Sequence, residues 1–285
     1  MTSAENEPRL HARVWSTYVT ELRDQAEQDL AANLARVGRA AADRKAAIVL
    51  FTAMLALLAM NFFGSPRRAE WVGALLAALG LEDQAGAFEA WMRDDESGQF
   101  HQRVFWAAAR LVCYVGLPAI VIRAVLHERL TDYGLSVRGL TRHFRPYAWC
   151  AALAAPAIVL ASYSAGFQKK YPFYRLAEGE PLFPYFWGWE LLYAAQFVAL
   201  EFFFRGFLIH GLRGRLGYAS ILVMTMPYMM IHFGKPLPEA AGAIIAGFVL
   251  GTLSYKTGSI WWGAALHIAA AWGMDLLSLS HHGHL

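Results

Sequence analysis

The chain has 285 residues, 57% of them hydrophobic and 16% charged, with a formal net charge of +3. Soluble domains carry about 45–50% apolar and about 25% charged residues, so a soluble enzyme, a disordered protein and a coiled coil all fit poorly. The mean hydropathy is +0.32 and the pI of 8.9 comes without a dense basic tract, which leaves nucleic acid outside the expected partners and makes a polytopic membrane protein the first expectation.

Residues 1–45 hold seven basic and seven acidic side chains. Leu10, Val14, Tyr18, Leu22 and Ala26 recur every four residues, which predicts an amphipathic cytoplasmic helix lying on the membrane or on the protein. About 45 polar residues precede the first apolar run, so no cleaved signal peptide is expected and the first span acts as an anchor. Both cysteines, Cys113 and Cys150, sit in apolar runs, so no disulfide framework is expected.

A bilayer span needs roughly 20 apolar residues. Residues 46–63 are the first candidate, 71–81 are apolar but too short, and 82–96 form an acidic extramembrane loop. The next spans are 104–126, 146–166, 183–209, 218–233, 240–255 and 259–279. The fifth and sixth of the seven are short enough to be tilted or re-entrant. Arg110 and Arg123, inside the second span, read as snorkelling or paired arginines. The fold expected is all-α: a membrane helical bundle of about seven spans. It divides into a 1–45 segment, a 46–103 region with the first span and acidic loop, and a 104–285 core. With the N-terminus cytoplasmic, 14 Lys and Arg residues fall on the inner side and 8 on the outer, the bias of an N-in chain. The Ala/Arg-rich composition suits a bacterial inner membrane.

Charges inside apolar spans are costly, so each is a functional candidate. The fourth span carries Glu190, Glu201 and Arg205. Glu190 and Glu201 are eleven residues apart, within about 20° of one helical face, and Arg205 is one turn past Glu201, where an i,i+4 ion pair can form. Tyr228 and His232 sit one turn apart at the end of the fifth span, and His267 lies deep in the seventh, two turns before Asp275. One glutamate and two histidines on three helices suit a carboxylate and an imidazole activating water, with a further donor for the oxyanion. Glu201, His232 and His267 also match the ligand types of a catalytic zinc, an alternative left without its usual motif because no HExxH is present. Otherwise no cofactor is expected. The terminal His281, His282 and His284 read as a solvated tail.

At this point the residues resemble a known family. LEFFFRGF at 200–207 is similar to the EExxxR motif of the CPBP family (CAAX proteases and bacteriocin-processing proteins), YMMIH at 228–232 to its FxxxH motif, and TGSIWWGAALH at 257–267 to the approach to its HxxxN motif. The resemblance covers residues 105–280 and implies a glutamic-type intramembrane endopeptidase. By it, Glu201 and His232 position and deprotonate water, His267 stabilises the oxyanion, and Arg205 orients Glu201. A myxosortase-like bacterial subgroup is one version of the match. Leu200 stands where the family has its first glutamate, Tyr228 where it has Phe and Ala271 where it has Asn; Asp275, one turn on, is the nearest substitute for that Asn. The expected partners are the lipid bilayer and a membrane-embedded or lipidated polypeptide substrate. The alternatives are a catalytically inactive protein of the same fold that binds or escorts a hydrophobic partner, and a proton-coupled transporter. The latter is the weaker for lack of internal repeats.

Overall fold

The computed structural model describes residues 16–137, 140–177 and 179–283. Leu10 and Val14 of the N-terminal stripe, and His284, lie outside the described residues. Among the described residues, ten helices of nine residues or more carry the fold: α1 Glu21–Val37, α2 Arg39–Phe63, α3 Glu70–Ala78, α4 Glu82–Met92, α5 Gly98–Val125, α6 Phe144–Ser162, α7 Tyr185–Leu216, α8 Ala219–Met230, α9 Leu237–Thr257 and α10 Trp261–His281.

Among the described residues, α2, α5, α6, α7 and α9 are long and apolar enough to cross a membrane. The expectation of about seven spans therefore meets five by this measure, and the other two have physical reasons. The helix expected at 218–233 is the 12-residue α8, about 18 Å long against a hydrocarbon core near 30 Å. α10 has 21 residues, but its tryptophans, His267 and Asp275 dilute its apolar content. The acidic stretch expected as a loop is instead helical, as α4: Glu82 and Asp83 occupy its first turn, where they oppose the helix dipole, and Ala85 and Met92 turn inward two turns apart. The protein is an integral membrane helical protein.

The chain forms two compact units, the first made of Met1–Leu50, Thr131–Ser136 and Phe204–Ser259. Here α1 lies against the last turns of α7. Leu22 and Ala26 of its stripe are buried, Asn33 Nδ2 donates to the Gly214 carbonyl at 2.8 Å, and Arg215 pairs with Asp43. Small residues let helices close in, as is usual between membrane helices. A Cβ on Gly211 would sit 2.9 Å from Val49 Cγ2, and one on Gly247 2.8 Å from Thr225 Cγ2, so both contacts require glycine.

The second unit comprises Phe51–Leu130, Val137–Phe203 and Ile260–Leu285. The start of α7 is its centre, packed against α5 and α10. Its core is aromatic: Trp189 stacks on Tyr193 at 4.7 Å and, with Tyr174, Phe186, Ala271 and Leu279, is almost wholly buried. Arg123, two residues from the end of its helix, donates to the Glu128 carbonyl at 3.2 Å. α6 leaves Trp149, Leu153 and Leu160 more than two-thirds exposed. Such an apolar surface suits a solvent of lipid tails.

Candidate active site

In the second unit, Glu201 ends the regular part of α7 and is 1% exposed. His267 faces it from α10, with Nδ1 2.8 Å from Glu201 Oε1, and its side chain keeps 18% of its surface open. Two neighbours hold this pair. Phe197, one turn before Glu201, stacks on the His267 ring at 5.5 Å and 12° between planes. Gly263, one turn before His267, makes room for the carboxylate: a Cβ there would stand 2.6 Å from Glu201 Oε2. Neither Phe197 nor Gly263 stood out in the sequence. The available signal was a glycine or aromatic residue exactly one helical turn from an ionisable group in an apolar run.

Glu190 uses the same face of α7. It is 1% exposed rather than turned to water, and its carboxyl lies beside that of Asp275, itself fully buried. Asp275 also accepts from the Phe173 backbone N–H at 3.1 Å, and Trp272 Nε1 donates to the Glu190 carbonyl at 3.1 Å. Asp275 is thereby engaged away from His267. Leu200 and Ala271, at 4% and 0% exposure, bring no polar group to the unit.

The first unit holds the other residues singled out. After Glu201 the backbone widens into a π-helical stretch, Phe202–Leu208, a distortion often found at functional sites. Within it Arg205 lies over the Tyr228 ring at 3.9 Å, a close cation–π contact, and Nη2 donates to the Ala246 carbonyl at 3.4 Å. Ser254 Oγ donates to the Arg205 carbonyl at 3.3 Å. His232 follows α8, its ring 4.9 Å from that of Tyr228. Its Nδ1 donates to the Tyr228 carbonyl at 2.8 Å, since a carbonyl can only accept, so Nε2 is the acceptor nitrogen of the neutral ring. The structure thus groups Glu201 with His267, Glu190 with Asp275, and Arg205 with Tyr228 and His232. Among the described residues no group of three or more His, Cys, Asp or Glu side chains is placed to hold a metal ion.

Residues 181–273, about a third of the chain, match the family model described as Rce1-like, type II CAAX prenyl endopeptidase. No curated protein and no solved structure matches the chain.

Proposed function

With residues 181–273 an Rce1-like segment of the CPBP family, we propose that the protein is an intramembrane endopeptidase. It hydrolyses a peptide bond of a membrane-embedded or lipidated polypeptide. The observation that carries the proposal is the 2.8 Å contact between Glu201 and His267 on helices of apolar composition. An ionised Glu201 fixes the proton of His267 on Nδ1, leaving Nε2 to take a proton from water as its oxygen attacks the scissile carbonyl. The Glu201 carboxylate then balances the imidazolium, and the Nε2 proton passes to the leaving amine as the C–N bond breaks. The apolar surroundings strengthen each of these charge interactions. His232 and Arg205 are assigned to the reaction by the family motifs, with Arg205 stacked on Tyr228 as a positioning residue. The membrane is taken to be a bacterial inner membrane, with the N-terminus cytoplasmic.

The test is mass spectrometry of a prenylated peptide incubated with the reconstituted protein in ¹⁸O-water. A single new carboxyl carrying ¹⁸O is expected; an intact peptide contradicts the proposal. The buried, apolar Leu200 and Ala271 favour a second reading, an inactive member of the fold that binds such chains. Tight peptide binding without cleavage selects it.

A further inference from the structure

In the second unit, α2 stops at Phe63 and the chain turns through Pro66–Arg68 into α3. α3 has nine residues, too few to cross a bilayer. It exposes Trp71, Leu75 and Leu79, one turn apart. Phe62 and Phe63 are exposed beside them, and Phe63 meets the Trp71 ring edge-on at 5.7 Å. Trp71 Nε1 donates to the Phe63 carbonyl at 3.0 Å. An apolar stripe with a tryptophan at the end of a span marks a helix that lies in the headgroup layer. A cavity of about 170 Å³ opens there, several times the roughly 30 Å³ of a water molecule. Arg67, Glu70, Glu89 and Arg93 line it, so its charges sum to zero. Glu89 and Arg93 pair with one another at 3.4 Å. The side chains of Arg67 and Glu70 make no hydrogen bond or ion pair among the described residues, although both line this cavity three residues apart. The adjacent Arg68, by contrast, donates to the Asn61 carbonyl at 3.3 Å and lies 5.1 Å from the Phe62 ring.

We propose that this cavity binds the headgroup of a zwitterionic phospholipid, with Arg67 holding its phosphodiester and Glu70 its primary ammonium. The cavity leaves one charge of each sign unengaged, and a ligand that carries both signs engages the two together. A guanidinium fork matches phosphate oxygens, and a carboxylate accepts from the three N–H groups of an ammonium. A phosphatidylglycerol headgroup brings a phosphate but no cation, and leaves Glu70 and Glu89 facing a further negative charge. A choline headgroup has no N–H to donate. The exposed stripe of Phe62, Phe63, Trp71 and Leu75 gives the acyl chains an apolar surface next to the cavity, which a water-soluble zwitterion has no use for. The site lies among residues 66–102, outside the 181–273 segment, and it stands whether or not the protein is a peptidase.

The experiment is native mass spectrometry of the full chain in detergent, titrated with dioleoyl phosphatidylethanolamine, phosphatidylglycerol and phosphatidylcholine in turn. Phosphatidylethanolamine is expected to bind at least about fivefold more tightly than either of the others, the scale of one partly exposed ion pair. Arg67→Gln should bring it down to their level. Glu70→Gln should weaken phosphatidylethanolamine and strengthen phosphatidylglycerol, so that the order of the two reverses. Both residues are exposed, so both variants should melt like the parent protein. Equal binding of the three lipids by the parent overturns the proposal whatever the variants do. A phosphatidylethanolamine preference that survives both substitutions places the lipid elsewhere and also overturns it. Glycerophosphoethanolamine, the headgroup without its chains, distinguishes the source of the ligand. It should displace the lipid only at a large excess; displacement at equal concentration makes the ligand a soluble zwitterion and overturns the lipid assignment.

Discussion

Glu201 Oε1 and His267 Nδ1 lie 2.8 Å apart, and the approach depends on a residue with no side chain. Gly263 sits where any Cβ would come 2.6 Å from Glu201 Oε2. Gly263→Ala should fold, because the substitution favours a helix, yet it displaces the carboxylate. The expected outcome is a fall in kcat of roughly 10- to 100-fold, the scale of an ångström-level misplacement at a reacting centre. Peptide turnover, measured alongside a melting curve, checks it. Unchanged turnover would separate the carboxylate from the chemistry.

Glu190 and Asp275 lie side by side where α7 meets α10, three turns from the catalytic contact, and Asp275 holds the Phe173 backbone N–H there. Asp275→Ala removes the acceptor of the Phe173 N–H and leaves that buried donor unsatisfied, and should cost about 1–3 kcal/mol. Glu190→Gln keeps a hydrogen-bonding head of the same shape and should melt within about 1 kcal/mol of the parent protein. Thermal unfolding in detergent distinguishes the two. An Asp275→Ala protein as stable as the parent would mean that the Asp275–Phe173 bond contributes nothing to stability.

Outside the spans, Asp94 accepts hydrogen bonds from Ser97 Oγ and from the Ser97 and Glu96 backbone N–H groups. The Ser97 bonds hold its carboxyl below the usual carboxylate range. A lowered folded-state pKa stabilises the turn above the ordinary Asp value, and that stabilisation is lost as pH falls from there through the lowered one. The protection factor of the Ser97 amide, its exchange rate divided into the intrinsic rate at the same pH, should therefore be higher at neutral pH and fall in acid, and Asp94→Asn should abolish the dependence. A protection factor that stays flat across this range in the parent protein would contradict the assignment.

Much of this was legible in the sequence. Eleven residues between Glu190 and Glu201 put both on one helical face, and both do meet α10, one at Asp275 and the other at His267. What the spacing left open was the partner: Asp275 stood as the nearest substitute for a missing Asn, whereas the antiparallel run of α10 against α7 carries it to Glu190. The π-helical stretch at Phe202–Leu208 was not legible, because a shift from i+4 to i+5 hydrogen bonding leaves no mark in composition or periodicity. Gln196 lay unremarked in the apolar run because a lone amide has no period. Only its contact with Arg110, whose Nη1 donates to Gln196 Oε1 at 3.0 Å, gives it meaning.

The central claim is that the Glu201–His267 pair breaks the peptide bond. The direct measurement is kcat for a prenylated peptide with the reconstituted protein and with Glu201→Gln, both shown to be folded by their melting curves. Glu201→Gln retains shape and hydrogen bonding but cannot balance an imidazolium, so kcat should drop by about 10³-fold or more, the order seen when a catalytic base loses its charged partner. Turnover equal to that of the parent protein would contradict the account.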